Sequence, residues 1–262
     1  MKTIGKIIKI IFIVFVALIV LGIVFGRGKD AKETPVATTN PGTENTTVAE
    51  QEKTEEVEPS YSQETILFDV YTNSIGKPTY DAIVQVTNTG NCPLYLGNAT
   101  FDVEDTNGHL IGTDEYTIYS CPKVIDVGEV GYFYTSFSSS LPDGTDTNAE
   151  YQLVPTLQIK SATGSITEYV VSDTSLSTSG YWPEVTGRIE NTTDKDDSYV
   201  YVQCIFYDAS GNVIGIAGTS VTDLTAGSKK SFDLSAIGLY NSATKDQIAD
   251  YKVYARKSYF QF

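Results

Sequence analysis

The chain predicts an all-β fold, two tandem β-sandwich domains that follow an N-terminal transmembrane helix and a disordered stalk. Three observations carry this expectation. From Tyr199 to Tyr207 the residues alternate, with Val200, Val202, Cys204 and Phe206 on one face and Tyr199, Tyr201, Gln203, Ile205 and Tyr207 on the other. A period of two is that of a strand with one face buried. The next four residues, Asp208-Ala209-Ser210-Gly211, suit a type I turn closed by a residue at positive φ, because Asp bonds the backbone ahead of it and Gly has no Cβ to clash. The third observation is that the same arrangement stands earlier in the chain.

Asn191-Thr192 has its counterpart in Asn88-Thr89, 103 residues upstream, and the same offset takes Asp208 to Asp105, Gly211 to Gly108 and Ile214-Gly215 to Ile111-Gly112. Gly227 and Phe232 match Gly128 and Phe133 at an offset of 99, so the first copy carries four extra residues, placed around Tyr119 to Pro122. Asp250-Tyr251-Lys252-Val253 then aligns with Glu150-Tyr151-Gln152-Leu153. A repeat of this length reads as two domains of one family.

The second copy resembles the FxLYD family of bacterial membrane-anchored surface proteins. The resemblance rests on an opening with Val185, Thr186, Gly187, Ile189, Asn191 and Thr192, on the strand and hairpin described above, on a turn with Leu224, Ala226 and Gly227, and on the closing Asp250-Tyr251-Lys252-Val253 strand. The signature Phe-x-Leu-Tyr-Asp stands here as Cys204-Ile205-Phe206-Tyr207-Asp208, with Cys in place of Phe and Phe in place of Leu. The match runs from about Gly164 to Phe262, and the first copy matches more loosely. What the resemblance implies is an immunoglobulin-like β-sandwich at the cell surface, without an assigned chemistry.

In chain order, residues 1–9 carry Lys2, Lys6 and Lys9, and residues 10–26 are free of charge. With Ile7 and Ile8 added, a helix here reaches about 30 Å, enough to span a bilayer. The run is long for a cleaved leader and is followed by no small-residue cleavage site, so a single uncleaved anchor is expected. Arg27, Lys29 and Lys32 behind it oppose the N-terminal lysines, but the acidic, lysine-poor chain that follows places the C-terminal domains outside the cell membrane. Residues 27–60 are rich in Thr, Glu, Pro and Asn, with too little apolar surface to fold. They predict a flexible acidic stalk.

Two folded units follow, residues 61–163 and 164–262. The first opens with alternating stretches at Glu64 to Tyr71 and Ala82 to Asn88, the second at Ile166 to Ser172 and Glu184 to Asn191. Only Ser235 to Ala249 has the look of an amphipathic helix. The short connection Ser161-Ala162-Thr163-Gly164-Ser165 predicts close coupling of the two domains.

A net charge of −15 disfavours nucleic acid and anionic lipid as partners, since both would be repelled. No catalytic set emerges, and no cofactor or metal is expected. His109 is the lone histidine and reads as a turn residue. Asp105-Thr106-Asn107-Gly108 resembles part of a calcium loop but lacks its first ligand and its closing Glu. Asp194, Asp196 and Asp197 form an acidic loop that reads as solvated, with calcium as the alternative. The outward rings Tyr199, Tyr201 and Tyr207 form a possible binding face for a glycan or a protein partner, with cross-strand packing as the competing account. Cys204, between Val202 and Phe206, is expected to be buried. Cys92 and Cys121 are expected at the same end of the first sandwich, where a disulfide between them and two unrelated thiols are equal alternatives. The expected function is that of a non-enzymatic, single-pass, extracellular interaction module; the alternative is a metal-dependent envelope enzyme or sensor built on the acidic loop.

Overall fold

The computed structural model describes residues 58–258 apart from 117, 136–138, 163–165, 181, 236–238 and 241–242. The expected cytoplasmic segment and membrane anchor, with nearly all of the stalk, lie outside the described residues. Among the described residues no helix is long and apolar enough to cross a membrane.

Thr54–Phe262 is one compact unit, and among its described residues all regular structure apart from one short turn of helix is antiparallel β. In its first half run β1 (Tyr61–Thr72), β2 (Pro78–Asn88), β3 (Leu94–Asp105), β4 (Leu110–Asp114), β5 (Ile118–Cys121), β6 (Val124–Ile125), β7 (Val130–Thr135), β8 (Ser139–Ser140) and β9 (Tyr151–Ser161). One sheet has the order β1-β2-β7-β5, with β8 also on β2; in the other, β3 pairs with β9 along its length and with β4 and β6 at its two ends. Alternate residues of β2 (Tyr80, Ala82, Val84, Val86) meet Leu94, Leu96, Phe101 and Val103 of β3 and Phe133 of β7 in a buried cluster between the sheets.

The second half holds β10 (Ile166–Glu168), β11 (Val170–Ser177), β12 (Glu184–Glu190), β13 (Asp197–Tyr207), β14 (Val213–Leu224), β15 (Lys229–Ser235) and β16 (Asp250–Ser258). The sheets are β10-β16-β13-β14 and β11-β12-β15. Val200, Val202, Cys204 and Phe206 of β13 pack on Val185, Ile189, Phe232 and Leu234 of the facing sheet, as the alternation predicts. The stretch Ser235 to Ala249, expected as an amphipathic helix, carries only a single 3-10 turn at Lys245–Gln247 among its described residues. Tyr240 within it is buried against the first half instead.

The repeat is visible in the hydrogen bonds. Asp105 Oδ1 accepts from the amides of Asn107 and His109, and Asp208 Oδ1 from those of Ser210 and Asn212. Gly108 and Gly211 close these hairpins at φ 79° and 83°, a conformation that costs little only without a Cβ. Asn88 Nδ2 donates to the Cys92 carbonyl, and Asn191 Nδ2 donates to that of Lys195. The two halves part company after the hairpin. β14 follows β13 along its length as far as Asp197, which pairs with Leu224. In the first half β4 leaves β3 after Asp114, the chain crosses to the other sheet as β5, and it returns as β6 to pair Ile125 with Leu94. The four additional residues of the first copy fall within this detour.

The two halves pack face to face. Ile83, Cys121, Tyr132 and Tyr134 of the first meet Ile205, Ile216, Tyr240 and Tyr254 of the second in a third buried cluster. Gln203 Nε2 donates to the Ser120 carbonyl at 2.7 Å and the Tyr240 hydroxyl to the Thr135 carbonyl at 2.8 Å. Arg256, its side chain 10 % exposed, holds both carboxylate oxygens of Glu129, at 2.5 and 3.0 Å.

Candidate functional site

The outward face of β13 is divided by this packing. Gln203 and Ile205 are buried under the first half and Tyr207 packs on the same cluster, where burial pushes its phenol up. Tyr199 and Tyr201 lie beyond the contact, 42 % and 45 % exposed, with their rings edge to face at 4.7 Å. Of the three tyrosines expected as one binding face, the structure brings two together and takes Tyr207 into the interface.

Tyr199 and Tyr201 form one wall of a cleft of about 760 Å³ between the two halves, a size usual for small-ligand sites. The opposite wall is made by the β5 detour. Tyr116 and Tyr119, 84 % and 48 % exposed, and Lys123 line it. Because β4 ends early, no described strand covers the edge of β3 between Leu96 and Phe101 on this side, and Asn98, Ala99 and Thr100 line the floor. The pairing of β3 with β9 slips between Leu96 and Ala99. Gly97 sits in that slip, where a Cβ would stand 2.7 Å from the Gln158 carbonyl oxygen, so the close approach requires glycine. The four extra residues of the first copy mark part of this wall in the sequence but do not show that it faces the β13 tyrosines.

The polar lining is dominated by amides and hydroxyls: Asn98, Gln158, Gln203, Thr219 and Ser220. Among the described residues Lys123 is its one cation. Its side chain is partly buried, and that desolvation lowers its pKa. Among the described residues Glu115 is the one carboxylate of the lining.

The other residues singled out in the sequence are not brought into one site. Asp194 stays exposed, Asp196 accepts from the Ala226 amide at 2.8 Å, and Asp197 is 1 % exposed, where Lys257 and the Tyr169 hydroxyl both bond its carboxylate. The loop is therefore not one solvated acidic cluster, because Asp197 begins β13 with its side chain turned into the second half. Among the described residues no group of three or more His, Cys, Asp and Glu is placed to hold a metal ion. His109 Nδ1 lies 3.0 Å from Asp105 Oδ2 within the first hairpin. Hydrogen bonds from His109 and Asn107 hold the Asp105 carboxyl down to about 2, those of His109 being the largest cause.

All three cysteines are free thiols, so the disulfide expected as one alternative between Cys92 and Cys121 is not formed in this structure. The reason is the alternation of β5. Ile118 faces the first core and Ser120 bonds the Leu96 carbonyl, which turns Cys121 outward into the cluster shared with the second half, while Cys92 stays in the loop before β3. Cys204 is fully buried. No protein-family model matches the chain, and no curated protein matches it.

Proposed function

We propose that the chain is a membrane-anchored, single-pass, non-enzymatic module that displays two tandem immunoglobulin-like β-sandwiches outside the cell and binds an envelope or extracellular partner in the cleft between them. The anchor and stalk read from residues 1–60 and the resemblance of the second copy to the FxLYD family support the location. The observation that carries the binding reading is the cleft itself, where four exposed tyrosines from both halves stand beside a polar lining of amides and hydroxyls. Aromatic rings held by rigid strands offer contact area at low conformational cost, and convergent polar groups orient what is bound. The packing of the halves through a common cluster and the Arg256–Glu129 pair keeps the two walls in register.

Sedimentation of Thr54–Phe262 with envelopes of the cells that make the protein tests this reading. The fragment is expected to co-sediment, and the double change Tyr199→Ala, Tyr201→Ala is expected to lower its affinity about tenfold or more while leaving the melting temperature near that of the parent. Protease added to intact cells is expected to release the domains. Envelope binding that ignores both tyrosines, or full protection of the domains in cells with an accessible surface, would overturn the proposal.

A further inference from the structure

Building on the binding reading of the cleft, we infer that its ligand is a saccharide carrying an isolated acidic group, with Tyr199 and Tyr201 stacking on the sugar and Lys123 receiving the acid. A pyranose presents an apolar face of C–H groups edged by hydroxyls. The cleft presents the complement, with aromatic rings on its walls and the amides of Asn98 and Gln158 beside them. A peptide strand is the poorer fit. Strand addition needs a long flat edge, and the open edge of β3 is only Asn98 to Thr100, next to the slip at Gly97.

Lys123 supplies the charge. Lys77, Lys229 and Lys257 each bond a carboxylate. Among the described residues Lys123 forms no salt bridge, and Glu115 in the same cleft does not reach it. A partly desolvated ammonium without a counter-charge is unfavourable in the empty cleft, and an incoming anion offsets that cost with a charge-assisted hydrogen bond. The remainder of the molecule limits how acidic the ligand is. With 33 acidic residues against 18 Lys and Arg, the overall field repels a densely charged polymer, so the acid is expected singly, as a carboxylate or phosphate on an otherwise neutral sugar chain.

Calorimetric titration of Thr54–Phe262, a compact unit of its own, tests this with four probes. These are a neutral N-acetylglucosamine tetramer, a tetramer in which one terminal glucuronate replaces one of its sugars, a singly phosphorylated N-acetylglucosamine tetramer, and an acidic tetrapeptide. One of the two acidic sugars is expected to bind about tenfold tighter than the neutral tetramer. Lys123→Met should erase that difference, Lys123→Arg should largely keep it, and Tyr201→Ala should weaken acidic and neutral sugars alike. Whichever acidic sugar is preferred assigns the acid as carboxylate or phosphate. Equal affinity for neutral and acidic sugars, or a preference that survives in a folded Lys123→Met protein, overturns the inference. So does binding of the peptide alone, or of none of the probes while the fragment still sediments with envelopes; both outcomes leave the binding reading standing. Loss of envelope sedimentation itself would instead remove that reading.

Discussion

Cys204 lies wholly inside the second core, and burial pushes its thiol up to about 12, so at neutral pH it is a small apolar filler rather than a nucleophile. Replacing it with Asp puts an unpaired charge among Val202, Phe206 and Ala255, and a loss of several kcal/mol is expected; Cys204→Val keeps the apolar character and should cost less than about 1.5 kcal/mol. Denaturant melts of the two variants check this, and similar small losses for both would place the side chain elsewhere. Cys121 is equally inaccessible, its thiol held well above the ordinary range first by burial and then by Cys204. Cys92 alone is partly exposed. Alkylation without reductant should therefore modify Cys92 in the native protein and all three cysteines once it is unfolded. A native thiol count of zero, with one after unfolding, would show a bond between Cys92 and Cys121.

β16 joins the two halves as an element, because its Arg256 reaches across to Glu129 while Tyr254 and Ala255 face opposite clusters. Arg256→Met removes the partner of a carboxylate whose side chain is one-third exposed. The expected cost is about 2 kcal/mol, less than for a fully buried pair because water still screens Glu129. The pH dependence has a definite sign. The hydrogen bonds from Arg256, ahead of all other causes, hold the Glu129 carboxyl below its ordinary value of 4.5, so the unfolded chain takes up the proton first as pH falls. The stabilisation from this pair is therefore complete above about pH 4.5 and is lost as pH drops through the depressed native value. In Arg256→Met this part of the acid dependence should shrink, as measured by denaturant melts from pH 6 to pH 3. An unchanged acid limb would show that Arg256 does not govern Glu129. β5 is the other joining element: it exists only in the first copy, and with Ser120 and Cys121 it supplies contacts to β13 and β16 that a plain copy of the second half would lack.

At the scale of the molecule, the third cluster makes the two halves one body rather than beads on a string. Full burial of a residue such as Ile205, 0 % exposed, contributes about 2 kcal/mol, and several such residues from each half meet there. Thr54–Phe262 is expected to melt in a single calorimetric transition. Ile205→Asp, which puts a charge into the contact while sparing both individual cores, is expected to lower the melting temperature and separate the transition into two. Two transitions in the unaltered protein would mean that the halves fold independently. The cleft depends on this coupling, since its walls belong to different halves, so the binding proposed for it should weaken with Ile205→Asp as well.

Strand periodicity, both hairpins and the internal repeat are determined by the sequence alone, because each rests on contacts within a few residues or on a pattern that a single strand displays. The inward set Val200, Val202, Cys204, Phe206 was readable for that reason, and so were the paired turns at Asp105 and Asp208. The amphipathic look of Ser235 to Ala249 has another origin in its described residues, because Tyr240 owes its burial to residues far along the chain. The division of the β13 face was decided by tertiary structure. Nothing local separates Tyr207, which packs into the shared cluster, from Tyr199 and Tyr201, which line the cleft; only the docking of the first half does. The same holds for Cys121, whose direction follows from the sheet that β5 joins rather than from its distance along the chain to Cys92. Chain proximity and alternation set the faces of each strand, but the partner that covers a face is chosen by the packing of whole sheets.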